Sequence, residues 1–409
     1  MAARRLTRGR WARLTLGLSA GVAAIAILAE RGAVAQGARN ATHLEPAFAA
    51  QTRAPEARSG VALAAAPFGG PLDNAWGIAA LPGGGYLVTE RPGRLQAVSP
   101  SGELSAPIAG LPPVLAEGQG GLLDVATGPD FATDRRIWLT YAKPLGAGLS
   151  ATAAARGVLA ADLSEVTGAE DIFVQEPPSP TPIQYGSRIV FDTAGRAFIT
   201  TGEHASMRER ALAQDLATTY GKVIRLWPDG TVPEDNPFVG REGLDAIWSY
   251  GHRNPQGAAI EPGTGRLWTV EHGPRGGDEL NTPGPGANYG WPVVSYGVNY
   301  DGSAVGEGLA RKPGMEEPRY FWDPVIAPSG MVFYDGAMFP EWQGDLLIGS
   351  LNPGGLVRLE IDGDRVTGEE RLLAGIGRVR DIELAPDGAL ILAIDAPGTP
   401  LMRVARAGN

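Results

Sequence analysis

Along this chain one unit recurs: a short apolar strand, a turn of Pro, Asp and Gly, and a second apolar strand. It appears as WGIAALPGGGYLVTE from Trp76, GLLDVATGPDFATDRRIWLTYA from Gly121, SRIVFDTAGRAFITTG from Ser187 and GAAIEPGTGRLWTVE from Gly257. It returns as GMVFYDGAMFPEWQGDLLIGS from Gly330 and RDIELAPDGALILAID from Arg380. Similar hairpins spaced about 45 to 75 residues apart mark a radial repeat with long loops. A single sheet or a sandwich would give them no reason to repeat. The pattern predicts an all-β chain folded as a six-bladed β-propeller, which protects strand edges without helices. The longest insertions fall between the third, fourth and fifth hairpins, so those loops are expected to build the functional face. Helical pattern is scarce; residues 208–220 (RERALAQDLATTY) read as a short helix or turn inside a loop.

The propeller is expected to occupy 61–409 as a single domain, preceded by an Ala-rich stretch, 36–60, that carries no strand pattern and reads as a mobile leader. Residues 1–35 read as a secretory signal. Arg4, Arg5, Arg8, Arg10 and Arg13 precede an apolar run over 14–29, and Ala33-Val34-Ala35 supplies a small-x-small cleavage pattern. The run is shorter than the roughly 20 residues a spanning helix needs. A periplasmic or secreted protein with no membrane span after cleavage is the expectation.

Composition narrows the chemistry. A hydrophobic content of 44% can fill a large core, while 58 Gly and 34 Pro suit many short strands. With no Cys, disulfides, thiolate metal sites, Cys nucleophiles and c-type heme attachment are all excluded. Any electrons the protein handles must therefore leave to a separate acceptor. A net charge of −10 argues against a nucleic-acid partner.

The densest chemistry lies in 248–292, WSYGHRNPQGAAIEPGTGRLWTVEHGPRGGDELNTPGPGANYGWP. Arg253, Asn254, His272, Arg275, Asp278, Glu279, Asn281 and Asn288 sit there on Gly/Pro backbone between apolar strands, the pattern of a binding site on loops. Asp278 and Glu279 lie beside carbonyls of a Gly-Pro-x-Gly-Gly run, and hard oxygens of this kind suit Ca²⁺. A solvated acidic turn explains the same spacing equally well, since no EF-hand pattern is present.

GHRNPQG (251–257), EHGPRGGDELN (271–281), NYGWP (288–292), GKVIRLWPDGTVPEDNPF (221–238) and EGQGGLLDVATGPDF (117–131) resemble the soluble quinoprotein glucose and aldose sugar dehydrogenases, the glucose/sorbosone dehydrogenase family. The resemblance runs in matching order from about residue 68 to the C-terminus. It implies a propeller that binds pyrroloquinoline quinone (PQQ) and Ca²⁺ on one face and oxidises the anomeric hydroxyl of aldoses to lactones. By motif, Gln119, Arg253, Asn254, Tyr300, Arg378 and Arg380 match contacts to the quinone. The carbonyls of Gly273 and Pro274 match Ca²⁺ ligands beside it, while Glu279 and the carbonyl of Tyr289 match a second, structural Ca²⁺ site. Three arginines suit a cofactor with three carboxylates. Taken alone, Arg378 and Arg380 could equally pair with surface carboxylates.

Two positions depart from the family. Its general-base histidine is Gln184 here, within TPIQYGSR, and an amide has no useful basicity near neutral pH. A lysine that commonly contacts the quinone is replaced at Asn352, which keeps a hydrogen bond and loses the charge. His204 is the spare candidate for a relocated base. The leading expectation is a PQQ- and Ca²⁺-dependent aldose dehydrogenase. The rival is a non-catalytic propeller that binds a sugar or protein partner on the same face, and a Ca²⁺-dependent hydrolase ranks last.

Overall fold

A computed structural model describes residues 36–408 and shows a six-bladed β-propeller. The signal-peptide reading of 1–35 lies outside the described residues. Each of the six hairpins is the inner pair of strands of one blade. Blade 1 has three strands, Ala75–Ala80, Tyr86–Glu90 and Arg94–Val98. Blades 2 to 5 are four-stranded antiparallel sheets whose inner strands are Leu122–Thr127, Gly186–Phe191, Pro255–Ile260 and Pro328–Phe333. Blade 6 begins with Val379–Leu384 and is completed by the N-terminal strand Leu63–Leu72, which pairs antiparallel with Thr399–Arg406. One sheet thus joins the two ends of the propeller and closes the ring, with the first inner strand packed against the last.

Apolar side chains fill each gap between blades. Leu87 and Leu95 meet Leu122 and Leu139 between blades 1 and 2, Trp138 meets Ile189 and Ile199 between 2 and 3, and Phe198 meets Ala258 between 3 and 4. Trp268 and Val270 meet Met331 and Phe333 between 4 and 5, Leu347 meets Leu390 between 5 and 6, and Val88 meets Ile391 between 6 and 1. Strands sandwiched on both faces read as apolar runs rather than alternating ones, as these hairpins do.

The axis is polar. The third residue of each inner strand is Gly77, Asp124, Arg188, Gly257, Gly330 or Asp381. The Arg188 guanidinium donates through Nη1 to Asp124 Oδ1 at 2.7 Å and to Asp381 Oδ2 at 2.9 Å, and through Nε to the Gln256 carbonyl at 3.1 Å. The glycines make room for it: a Cβ at Gly330 would fall 1.8 Å from Asp381 Oδ1, and one at Gly77 2.8 Å from Asp124 Oδ1. Burial pushes both carboxyls up, Asp124 to about 7, against the pull of Arg188.

Helix is confined to short pieces, including a 3-10 turn at Arg210–Gln214 within the stretch expected as helix or turn. No helix among the described residues is long and apolar enough to cross a membrane. The segment 36–60, expected as a mobile leader, lies packed along the outer edges of blades 4 and 5. Asn40 donates from its backbone and side chain to Asp323 Oδ1, both at 2.8 Å, Ala41 and Leu44 bury against Tyr296, Val298 and Phe321, and Glu56 bridges Glu369. It covers exposed strand edges with caps and turns instead of a strand, so periodicity could not show it.

Removing Arg188 leaves two buried carboxyls with no counter-charge. Arg188→Ala is expected to cost about 3–5 kcal/mol of stability at neutral pH. Denaturant unfolding measures it, and the deficit grows as pH rises above about 7, where the parent's Asp124 has released its proton while the variant's, without Arg188, still holds it.

Candidate functional site

At the end of the axis where the inner strands begin, a cavity of about 340 Å³ opens. Every inter-blade connection supplies part of its wall: Asn74 and Trp76 from the entry to blade 1, Gln119 and Gln184 from the next two, Arg253, Asn254 and Gln256 from the entry to blade 4, then Ala327, Arg378 and Arg380. The long insertions contribute Tyr300, which stands 72% exposed at the rim. The site is therefore built by all six blades rather than by the longest loops alone.

The floor carries an excess of guanidinium. Arg380 donates from Nη1 to Gln256 Oε1 at 2.7 Å and from Nη2 to Asp395 Oδ2 at 2.6 Å, and the same Asp395 oxygen takes Arg378 Nη2 at 3.3 Å. Asn74 Nδ2 adds a further bond at 3.0 Å, and the two arginines hold Asp395 well below the ordinary carboxylate range. Arg91 and Arg253 complete the set. Four permanently charged guanidiniums around the one carboxylate of the lining, Asp395, call for an anion.

One wall is a chain of hydrogen bonds around Gln184. The backbone N–H of Gln184 donates to Gln119 Oε1 at 2.9 Å, and Gly186 N–H donates to Asn254 Oδ1 at 3.0 Å. With its amide turned to satisfy both neighbours, Gln184 donates through nitrogen to Glu203 Oε1 at 2.8 Å and accepts at oxygen from Arg253 Nη2 at 2.8 Å. The opposite orientation would set carbonyl against carboxylate and amide nitrogen against guanidinium. Gly202 permits the close approach of the two backbones, for a Cβ there would lie 1.8 Å from the Gln184 backbone oxygen. Glu203 is fully buried; its second oxygen accepts Ala205 N–H at 2.7 Å, and burial pushes its pKa up to about 7 against the pull of Arg253. Arg253 and Arg210 both place their guanidinium carbon over Trp291, at 5.2 and 5.3 Å from its ring centre.

Beside the cavity, Asp278 organises a tight loop. Its oxygens accept N–H groups of Gly273 at 2.7 Å, Ile326 at 2.8 Å and Ala327 at 2.7 Å, so it is a loop anchor and not an available ligand. The carbonyls of Gly273 and Pro274 accept no hydrogen bond among the described residues. Glu279 is held well above its ordinary pKa by burial and then by Glu271, with Asn281 Nδ2 at 3.3 Å as its hydrogen-bond donor. Among the described residues no three acidic or His side chains converge as a metal site.

A family model described as Glucose / Sorbosone dehydrogenase matches residues 72–403. The chain belongs to this family. It is 44% identical over 337 residues to aldose sugar dehydrogenase YliI of Escherichia coli (strain K12), covering 81% of this chain and 90% of that one. The structure of the soluble aldose sugar dehydrogenase of Escherichia coli in its apo-form superposes with a TM-score of 0.81 at 42% identity, covering 84% of this chain and 99% of that one. The PQQ-bound aldose sugar dehydrogenase of Streptomyces coelicolor matches at a TM-score of 0.71 and 26% identity, with 86% and 99% covered.

Within this glucose/sorbosone dehydrogenase fold, Gln119, Gln184, Arg253, Asn254, Tyr300, Arg378 and Arg380 come together on one cavity. Arg378 and Arg380 do pair with a carboxylate, as the alternative held, yet that carboxylate is part of the cavity wall. Asn352 does not join them: it is exposed, and its neighbour Leu351 faces the cavity instead. His204 is turned away as well. Its Nδ1 meets the Thr181 carbonyl at 3.0 Å, its Nε2 meets Gln175 Oε1 at 2.7 Å, and its ring packs on Tyr185 and Tyr220. Burial lowers its pKa to about 4, which with both nitrogens engaged leaves no relocated base there. Trp76, Gln256, Asp395 and Glu203 were missed. Gln256 stands inside GHRNPQG and Glu203 directly precedes His204, but sequence alone gave neither a direction.

His204→Phe is expected to cost about 1–3 kcal/mol, since the Thr181 carbonyl loses its imidazole contact and Gln175 Oε1 keeps only the Thr152 N–H at 3.3 Å, and to leave PQQ affinity at the parent's value. Thermal melting and calorimetry check the two halves. Loss of PQQ binding in a folded variant would return His204 to the site.

Proposed function

We propose that this chain is a PQQ-dependent dehydrogenase that oxidises aldoses at the anomeric hydroxyl, assisted by Ca²⁺ and acting after export to the periplasm. The observation that carries the reading is the gathering of Arg91, Arg253, Arg378 and Arg380 on one cavity whose lining holds a single carboxylate, Asp395. A polycarboxylate quinone is the ligand class that such a floor fits, and a relative crystallised with PQQ bound supports it. The indole of Trp76 supplies an aromatic wall beside the same arginines. Bound there, the quinone would supply the two-electron acceptor and Ca²⁺ a Lewis acid at its oxygens.

The chain's own residues divide the remaining work. Arg253, Arg378 and Arg380 would hold carboxylates, with Asp395 and Gln256 keeping the last two in place. Gly273 and Pro274 would offer their free carbonyls to Ca²⁺. For the second cation, burial beside Glu271 gives Glu279 a reason to take a positive partner, which the Tyr289 carbonyl would share. Tyr300, exposed at the rim, would contact the quinone from the open side of the cavity. Electrons would pass to a separate acceptor, because the chain offers no heme attachment.

The rival reading, a propeller that binds a sugar or a partner without catalysis, is favoured by one observation, the amide of Gln184 where a base is needed.

Calorimetric titration of PQQ with and without Ca²⁺, followed by dye reduction with several aldoses, tests the proposal. Ca²⁺-dependent binding with turnover is expected; no quinone binding under either condition would sink it. Arg253→Ala removes a charge-assisted hydrogen bond of roughly 1.5–3 kcal/mol and should weaken PQQ binding about ten- to a hundredfold. Binding without dye reduction in the parent, with turnover appearing in Gln184→His, would leave the non-catalytic reading standing.

A further inference from the structure

A sugar hydroxyl that becomes a carbonyl must lose its proton, and the groups around this cavity differ sharply in whether they can take it. Arginines cannot. His272 Nε2 lies 3.1 Å from Gln256 Oε1, the oxygen that also accepts from Arg380 Nη1, so this nitrogen carries a hydrogen and has no lone pair to offer. His204 is engaged elsewhere. Asp395 is tied to two guanidiniums and is a weak base. Glu203 remains. It is fully buried, yet two residues that line the cavity touch it: Gln184 at 2.8 Å and Arg253, whose Nε is 4.0 Å from Oε1.

We propose that Glu203 is the proton acceptor of this site and that the Gln184 amide occupies the place from which the substrate hydroxyl must donate. The proposal rests on the dehydrogenase reading. The Gln184 nitrogen marks a donor position 2.8 Å from Glu203 Oε1, and a hydroxyl oxygen that displaces the amide inherits that geometry. The hydroxyl O–H bond breaks and an Oε1–H bond forms. The hydride on the same carbon passes to the quinone, which is reduced, and a carbonyl remains. Ala205 N–H holds the other carboxylate oxygen in place.

The charges facing Glu203 set its proton affinity. Arg253 and Arg210 favour the carboxylate, Glu209 opposes it, and burial opposes it most, giving a value of about 7. An acceptor matched to the working pH is what general-base catalysis requires. Turnover should therefore rise as pH increases through about 7 and level off above it. Stability moves the other way. The folded chain holds a proton that the unfolded chain releases above its ordinary value, so this group's contribution falls as pH rises from about 4.5 to about 7.

Glu203→Gln keeps the shape and the contact to Gln184 but cannot take a proton. It is expected to lower kcat by about 10²- to 10⁴-fold, to abolish the rise in rate near neutral pH, and to leave PQQ affinity close to the parent's. Gln184→Ala uncovers the carboxylate and should raise kcat. Infrared titration of the cofactor-free protein should show carboxyl absorption that falls on raising pH through about 7, and the difference between the parent and Glu203→Gln should contain one carboxyl that titrates there. Should that variant fold poorly, Glu203→Asp should keep the pH limb with a lower rate. PQQ binding with unchanged rate and pH profile in Glu203→Gln overturns the proposal alone, as does a Gln184→Ala variant whose rate falls below the parent's. If the parent binds no PQQ, the dehydrogenase reading fails and takes the proposal with it.

Discussion

The contact on which this propeller depends is the guanidinium of Arg188 held between Asp124 and Asp381 on the axis. Three charged groups at 5% exposure or less are costly to bury, and they persist because each is bonded on several sides. Besides Arg188, Asp124 takes the Ile189 N–H at 2.9 Å and Asp381 takes the Ile78 N–H at 2.8 Å. These bonds tie blades 1, 2, 3 and 6 at a single level, while Gly77, Gly257 and Gly330 keep the remaining space open. The same Arg188 bonds the backbone of Gln256, whose side chain holds Arg380 in the cavity above. The axial plug and the floor of the site are thus one network. A shift of a strand at the plug would displace the arginines that give the cavity its charge.

The hairpins were legible because their apolar runs pack on both faces between blades, which imposes the same pattern six times. What escaped detection has a common physical reason. The outer strand that closes blade 6, Leu63–Leu72, is edge structure with buried and exposed positions out of strict alternation, LAAAPFGGPL. The leader docks through caps and buried single residues such as Gln51. Neither leaves a period in the sequence. At the site, polar residues on Gly/Pro backbone announced a binding face, and the motifs gave Arg253, Asn254, Arg378 and Arg380. Direction was not legible. Asn352 and Leu351 are neighbours, and His204 and Glu203 are neighbours. Leu351 rather than Asn352 lines the cavity, and Glu203 rather than His204 contacts its wall, because which side chain points inward is decided by backbone turns such as the left-handed Gln184 at φ 52°.

A conflict of charge explains why the wall beside Gln184 has the form it does. The cavity gathers more guanidinium than the two nearby carboxyls can neutralise, and this suits an anionic ligand but depresses any base placed among the arginines. His272 illustrates the penalty, with Arg253 and Arg380 both driving it towards the neutral form. A neutral amide at position 184 avoids that penalty: it serves Arg253 with its oxygen and Glu203 with its nitrogen at no cost in charge. The carboxylate behind it is shielded from solvent, which raises its affinity for a proton, and the lack of a side chain at Gly202 lets its strand approach the Gln184 backbone. Basicity in such a site is better stored one layer back, where burial strengthens it, than in the first row of side chains, where the arginines would cancel it.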